Sequence, residues 1–137
     1  MQITINNKND VEVYSFHDCD FKEMNYQYLK ERIRFLLFDR YEKKIYSLCF
    51  EKVIYYDMQS FHMWMNMPTD IHGSGLCEDE TFDKLDNLYE TQKRKWGYIQ
   101  TMPRLTEYIG VTFEFVSGDE LTILCKSIEI VEQDMGK

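Results

Sequence analysis

Two short apolar runs separated by a charged turn constrain the fold of this chain most strongly. Residues 33–38 and 45–50 are rich in β-branched and aromatic side chains, and residues 39–44 between them are mostly charged. Runs of about four to eight such residues, bounded by polar clusters, are typical of strands at the centre of a sheet. A helix fits less well, because both runs are short and no helical stripe connects them. The segment up to Ile54 therefore predicts two central strands joined by a turn.

The composition also favours strands. The chain contains no alanine, the best helix former, whereas 15% of its residues are aromatic, a class that suits the pleated surface of a sheet. A length of 137 residues is enough for one buried core and too short for two. We therefore expect a single β-rich domain over residues 1–137.

Further hairpins are predicted on both sides of the centre. Apolar and polar residues alternate on each side of the turn-rich cluster at residues 6–10, which predicts an opening hairpin. A strand-like period resumes over residues 21–28. The clearest hairpin comes last, at residues 111–125 around the turn at 117–120. The apolar phase slips after Cys125, which predicts a β-bulge near Lys126 and Ser127.

One helix and one loop complete the prediction. Residues 69–79 contain Gly73 and Gly75 and are typical of a loop. From residue 78 to Trp96, apolar side chains recur at helical spacing, namely Phe82, Leu85 and either Leu88 or Tyr89. Acidic residues precede this segment and basic residues end it, which complements a helix dipole, and Gly97 is a natural stop. The sequence predicts a mainly β (β-rich α+β) fold: an antiparallel, curled sheet, barrel or sandwich of hairpins with one helix near residues 79–96.

The acidic charge limits the classes of partner. The net charge of −8 disfavours binding to nucleic acid or to an anionic membrane surface and favours a protein partner with a basic surface. No segment has the pattern of a signal peptide or a membrane span. We therefore expect a cytoplasmic protein whose four cysteines are reduced thiols.

The run from Phe16 to Asp20 contains residue types that bind metals. Imidazole and thiolate are Zn²⁺ ligands, yet neighbours on an extended chain point to opposite faces and no second ligand pair follows. The nearest approach to a metal site is His17, Cys19 and, farther along, His62; we predict no metal and no cofactor. The other interpretation is that His17 and Asp18 form a turn and Cys19 packs inward.

A methionine cluster follows the central strands. Met63, Met65 and Met67 alternate along one predicted strand face, with Met58 and His62 nearby. Three interpretations remain open: an irregular core, an adaptable partner or ligand surface, or a site for Cu(I).

No catalytic motif is present. Cys77 is the cysteine most expected to be exposed, but the carboxylates that follow it would raise the pKa of its thiol and weaken it as a nucleophile. The glycines near residue 74 lack the lysine of a phosphate-binding loop. We therefore predict a protein that is not an enzyme. Loops carry function and tryptophan is enriched at binding hot spots, so the predicted partner- or ligand-binding residues are Trp64, His72, Cys77 and Trp96.

The layout of the chain resembles a known group. The residues that carry the resemblance are 16–19 (Phe-His-Asp-Cys), 33–38, 48–53 and 121–130. They resemble small bacterial β-rich proteins of uncharacterised function with an N-terminal His-Asp element, some of which are similar to immunity proteins encoded beside secreted toxins. The resemblance implies a non-catalytic, stoichiometric protein-binding domain, in which the acidic charge would cover a basic toxin surface. The alternative is a small-ligand-binding β-barrel with a pocket lined by aromatic and methionine side chains.

Overall fold

A computed structural model describes residues 1–14, 16–58, 70–76, 79–97 and 104–135, without the side chains of Asp79 and Glu80. Its strands are β1 (Gln2–Ile3), β2 (Asp20–Gln27), β3 (Arg32–Asp39), β4 (Lys44–Glu51), β5 (Tyr55–Met58), β6 (Ile71–Leu76), β7 (Ile109–Phe115), β8 (Glu120–Cys125) and β9 (Ser127–Asp134). The α-helix is α1 (Asp79–Lys95), and 3₁₀ turns span Ile5–Val13, Tyr28–Lys30 and Leu105–Glu107. No helix among these residues is long and apolar enough to cross a membrane.

The described strands form two antiparallel sheets that do not close into a barrel. The first sheet has the order β1-β9-β4-β3-β2 and the second has the order β5-β8-β7-β6. The predicted central hairpin is confirmed, since β3 pairs with β4 from Ile33 opposite Phe50 to Asp39 opposite Lys44. Its turn is fixed by the buried Asp39, whose carboxylate accepts the backbone N–H groups of Tyr41 and Glu42, each at 3.0 Å. The mainly β, antiparallel fold is thus as predicted, and α1 is the predicted late helix.

Aromatic side chains fill the space between the two sheets. Phe113 of β7 is 1% exposed, and its ring centroid lies 5.5 Å from that of Phe35 and 6.3 Å from that of Phe50 on the first sheet. Phe16 reaches the same ring at 6.2 Å. Burial of one such ring stabilises the fold by about 1.5–3 kcal/mol, and edge-to-face contacts add to this. The inner faces of the sheets therefore form a packed sandwich core.

β2 crosses the second sheet from one edge strand to the other. At its start, Asp20 forms an isolated antiparallel bridge with Asp70, the residue before β6. Near its end, the Tyr26 ring lies 4.9 Å from the ring of Tyr56 on β5. Because β5 and β6 are opposite edges of the second sheet, β2 closes one side of the sandwich.

Between the strands that the structure describes, the chain changes sheet at two positions that touch. It leaves β4 of the first sheet for β5 of the second near Lys52, whose φ of 55° provides a sharp corner. It returns from β8 to β9 at Lys126, and the Lys126 N–H donates to the Glu51 carbonyl at 3.0 Å. The phase slip after Cys125 marks this change of sheet. The predicted bulge at that position is wrong.

The predicted opening hairpin is also wrong. In this part of the chain Gln2 and Ile3 form a strand, and residues 5–13 form consecutive 3₁₀ turns interrupted at Asn7, whose φ of −129° is not helical. Thr4 caps this segment: its hydroxyl accepts the Asn6 N–H at 3.3 Å, while the Asn7 side chain accepts the Thr4 N–H at 2.7 Å. Such local side-chain bonds compete with a strand ladder, so the asparagine cluster builds a compact turn. Val11 is buried, whereas Val13 is 72% exposed.

The predicted loop contains a strand, and the predicted helix is confirmed. Ile71–Leu76 pairs with β7 as β6, with a register shift between Ile71 and Gly73. Glycine lowers strand propensity, so Gly73 and Gly75 made this strand look like a loop in the sequence. The strand forms because β7 supplies partners for its backbone hydrogen bonds. In α1 the stripe runs through Phe82, Leu85 and Tyr89, while Leu88 is 46% exposed.

Candidate functional site

A cluster of charged and imidazole side chains lies where the two sheets join. We call it the polar corner, formed by His17, Asp18, Asp20, Arg40, Asp70 and His72. Backbone bonds hold it: Asp18 N–H donates to the Ile71 carbonyl at 2.8 Å, and Ile71 N–H donates to the Cys19 carbonyl at 2.9 Å. These bonds bring together residues that lie far apart in the sequence.

His17 contacts His72 at the polar corner. Its Nδ1 lies 2.7 Å from the His72 carbonyl oxygen, and because a carbonyl only accepts, Nδ1 carries the proton. The other nitrogen, Nε2, lies 3.4 Å from Asp18 Oδ2, and the two imidazole rings are 5.8 Å apart. Asp18 has a φ of 65°, a turn conformation that aspartate tolerates. Among the predicted residues, His17 and His72 are thus neighbours, and His17 and Asp18 form the expected turn.

Cys19 points away from this surface into the core. It has no solvent exposure, and burial, followed by the negative charges of Asp39 and Asp20, raises the pKa of its thiol to about 12. A thiol in this state is neutral at physiological pH, so it is neither a ready metal ligand nor a nucleophile. Within the described part of the chain, no group of three or more His, Cys, Asp or Glu residues is arranged to hold a metal ion. His62 lies outside the described residues.

Asp20 and Asp70 share a hydrogen bond at the bridge. That bond, followed by burial, raises the pKa of Asp70 to about 6, and the same bond lowers the pKa of Asp20. Arg40 contacts both carboxylates, with Nε 3.3 Å from Asp20 and Nη2 3.5 Å from Asp70. Lys22 Nζ lies 3.5 Å from Asp20. Asp70 can therefore gain or lose a proton near pH 6, while Arg40 and Lys22 balance the negative charge of Asp20.

A second candidate site is a groove of about 1000 Å³ beside the helix. We call it the α1 groove. The lining residues that the structure describes come from three segments: Phe82, Asp83, Asp86, Tyr89 and Glu90 of α1; Ile5 and Lys8 of the first 3₁₀ segment; and Arg104, Leu105, Thr106 and Tyr108.

The helix forms this groove because it is only partly packed. Among the described side chains of α1, Leu85 is the buried one, while Phe82 and Tyr89 are half-buried and reach the groove. Asp83, Asp86 and Glu90 are exposed and follow one another at spacings of three and four residues, which places them on one helix face. The groove thus combines an aromatic floor with a row of carboxylates.

Of the other predicted binding residues, the structure describes Trp96 and His72, and they lie on different elements. Trp96 lies at the end of α1, is 46% exposed and has the Lys95 ammonium 5.6 Å from its ring centroid. His72 lies on β6, at the polar corner. Trp64 and Cys77 fall outside the described residues, as do Met63, Met65 and Met67. Met58 packs against the core, which agrees with the core interpretation for that methionine.

Sequence reasoning missed the α1 groove as a site. The spacing of the carboxylates at residues 83, 86 and 90 was visible in the sequence and could have identified the side of the groove that α1 forms. The contributions of Lys8 and Arg104 were not visible, since they depend on tertiary placement.

No protein-family model matches this chain, and no curated protein matches its sequence.

Proposed function

We propose that this chain is a non-catalytic protein-binding domain of the immunity type, and that the α1 groove receives a partner with a basic surface. The observation that carries the proposal is the row of Asp83, Asp86 and Glu90 beside half-buried aromatic side chains. Binding surfaces combine apolar anchors with charges that orient the partner, and this groove has both.

The apolar lining and the carboxylates have different roles in this proposal. An exposed ion pair contributes only about 0.2–1 kcal/mol, so the carboxylates set orientation and association rate more than affinity. Anchors that fill the space over Phe82 and Tyr89 supply most of the affinity. The net charge of −8 adds long-range attraction for a basic partner.

The polar corner supports a structural rather than a catalytic role for the His-Asp element. Cys19, which follows the element into the core, is buried and its thiol is neutral, so Cys19 and His17 do not form a nucleophile and base pair. Its carboxylates are engaged with each other and with Arg40 at the point where the sheets join. These contacts hold together the two sheets that support α1.

A small-molecule ligand is the second candidate, because the groove volume falls at the upper end of the ligand-pocket range of about 300–1000 Å³. Such a ligand would occupy the α1 groove. The described sheets do not close into a barrel and aromatic rings fill the space between them, so the groove, and not a barrel interior, is the place we propose for such a ligand.

Native mass spectrometry of the chain purified gently from its own host tests the proposal. Three forms are compared: wild type, the double variant Asp83→Lys/Asp86→Lys, and the control Glu23→Lys/Glu129→Lys. The control changes the net charge equally on the exposed outer face of the first sheet. Circular dichroism checks that all three fold.

We expect a protein partner at fixed stoichiometry on the wild type and the control, and its loss from the groove variant. A partner retained equally by all three forms would show that it docks on a face other than the α1 groove. A retained small mass lost only from the groove variant would favour the ligand alternative, and a bare chain in all three would contradict both.

A further inference from the structure

We propose that the α1 groove takes an amphipathic helix of the partner, with a basic flank toward α1 and an acidic flank toward Lys8 and Arg104. This inference rests on the proposed function and adds the class of segment and its orientation.

The dimensions of the groove fit about two turns of helix. Phe82 to Glu90 lie along α1 in the lining, a rise of about 12 Å. A helix of that length is about 10 Å across with its side chains. The open groove, about 1000 Å³ in volume, therefore has room to seat one face of a single helix.

The apolar side chains of the lining predict that the bound helix carries an apolar ridge. Ile5, Leu105 and Tyr108 come from outside the helix and face the same space as Phe82 and Tyr89. Helices pack by inserting a ridge of side chains, spaced three or four residues apart, into the facing groove. The occupant therefore presents apolar side chains at helical spacing toward this floor.

The charges of the groove are divided by segment, which sets the direction of the occupant. Among the lining residues that the structure describes, the three carboxylates come from α1, and the two cations, Lys8 and Arg104, come from the other two segments. A uniformly basic helix would meet the two cations, and a uniformly acidic one would meet the three carboxylates. A helix with one flank of each sign satisfies both sides, and turning it end for end would place like charges together.

Peptide display tests this inference without knowledge of the partner. A library of random peptides of about 16 residues, or roughly four helical turns, is selected on the wild-type chain. The selected peptides are then measured on Asp83→Lys/Asp86→Lys, on Lys8→Glu/Arg104→Glu and on the control Glu23→Lys/Glu129→Lys. All baits are first shown by circular dichroism to be folded.

We expect selected peptides with apolar residues at spacings of three and four, Lys or Arg on one flank and Asp or Glu on the other. Each groove variant should bind them about tenfold more weakly, whereas the control should bind them as the wild type does. Peptides with a period of two would indicate an extended occupant and overturn the inference, as would equal binding by both groove variants or failure to select any peptide.

The two proposals fail separately. If native mass spectrometry shows a partner lost from the groove variant but its binding segment is not a two-flanked helix, the function stands and this inference falls. If the released species is a second copy of the chain, the groove is a self-association site and both proposals are wrong.

Discussion

Asp20 and Asp70 share one hydrogen bond at the bridge that joins the two sheets. The pair places two carboxylates where β2 meets β6, with Arg40 in contact with both. The charge of Asp70 therefore bears directly on the contact between the two sheets.

The stability of the fold should depend on the charge of Asp70. Its folded pKa of about 6 lies above the ordinary value of 3.8, so the folded state binds the proton more tightly than the unfolded state does. The resulting stabilisation is complete below about pH 4 and is lost as the pH rises through 6. Asp70→Asn keeps a hydrogen-bond donor without the charge. Relative to wild type, its free energy of unfolding should rise by about 1–2 kcal/mol between pH 4 and pH 7.

Urea denaturation at several pH values measures this difference. Glu129→Gln removes an exposed carboxylate elsewhere and should leave the pH profile parallel to that of the wild type. Parallel profiles for Asp70→Asn as well would show that the pair does not share a proton.

Arg40 should matter more at high pH than at low pH. When both carboxylates are ionised, Arg40 balances their repulsion, whereas at pH 5 the shared proton already does so. We expect Arg40→Gln to lower the free energy of unfolding by about 0.5–1 kcal/mol at pH 8 and by less at pH 5. Thermal unfolding at the two pH values measures the change, and an equal loss at both would contradict the role assigned to Arg40.

Phe113 should be among the most costly core positions to truncate. Its ring contacts Phe35 and Phe50 of the opposite sheet, so Phe113→Ala would leave a cavity in the middle of the sandwich. The expected loss is about 3–5 kcal/mol. Val131→Ala, at a position 43% exposed on β9, should cost far less in the same urea titration. Similar costs for the two variants would mean that the sheets do not pack through Phe113.

The cysteines should differ in reactivity. Cys19 and Cys125 are buried, and the pKa of Cys19 is raised to about 12, so neither should react with iodoacetamide in the native state. Cys49 is half-buried, and burial together with Glu51 raises the pKa of its thiol, so it should react slowly but before the other two. Peptide mass spectrometry after timed labelling tests this order. Native labelling of Cys19 ahead of Cys49 would contradict the placement of the His-Asp element.

Strands with a clear apolar run or clean alternation were predictable from the sequence, and strands defined by their neighbours were not. The central hairpin follows from two apolar runs of six residues, and the hairpin of β7 and β8 follows from period-two alternation on both sides of its turn. The slip after Cys125 was visible, but a bulge and a change of sheet look alike locally. Which of the two forms depends on the strand with which β9 pairs, and β9 pairs with β4 of the first sheet. Likewise, asparagine side chains suit both a hairpin turn and the Thr4-capped 3₁₀ segment.

The candidate sites were visible only in parts. His17 and His72 were both identified, but their contact depends on the bridge between β2 and β6, which no local pattern encodes. The helix wall of the α1 groove was encoded by the spacing of Asp83, Asp86 and Glu90, whereas its other lining residues come from segments near residue 8 and residue 104. Sequence patterns therefore show the elements, and the pairing of distant elements creates the sites.

Hydrogen–deuterium exchange of the co-purified complex tests the central claim most directly. We predict that binding protects the three segments that line the α1 groove, at residues 5–13, 79–95 and 104–108, and leaves the outer face of β2, β3 and β4 unchanged. Protection centred on that outer face or on the polar corner, or a chain that retains no partner at all, would contradict the assignment of the α1 groove as the docking face.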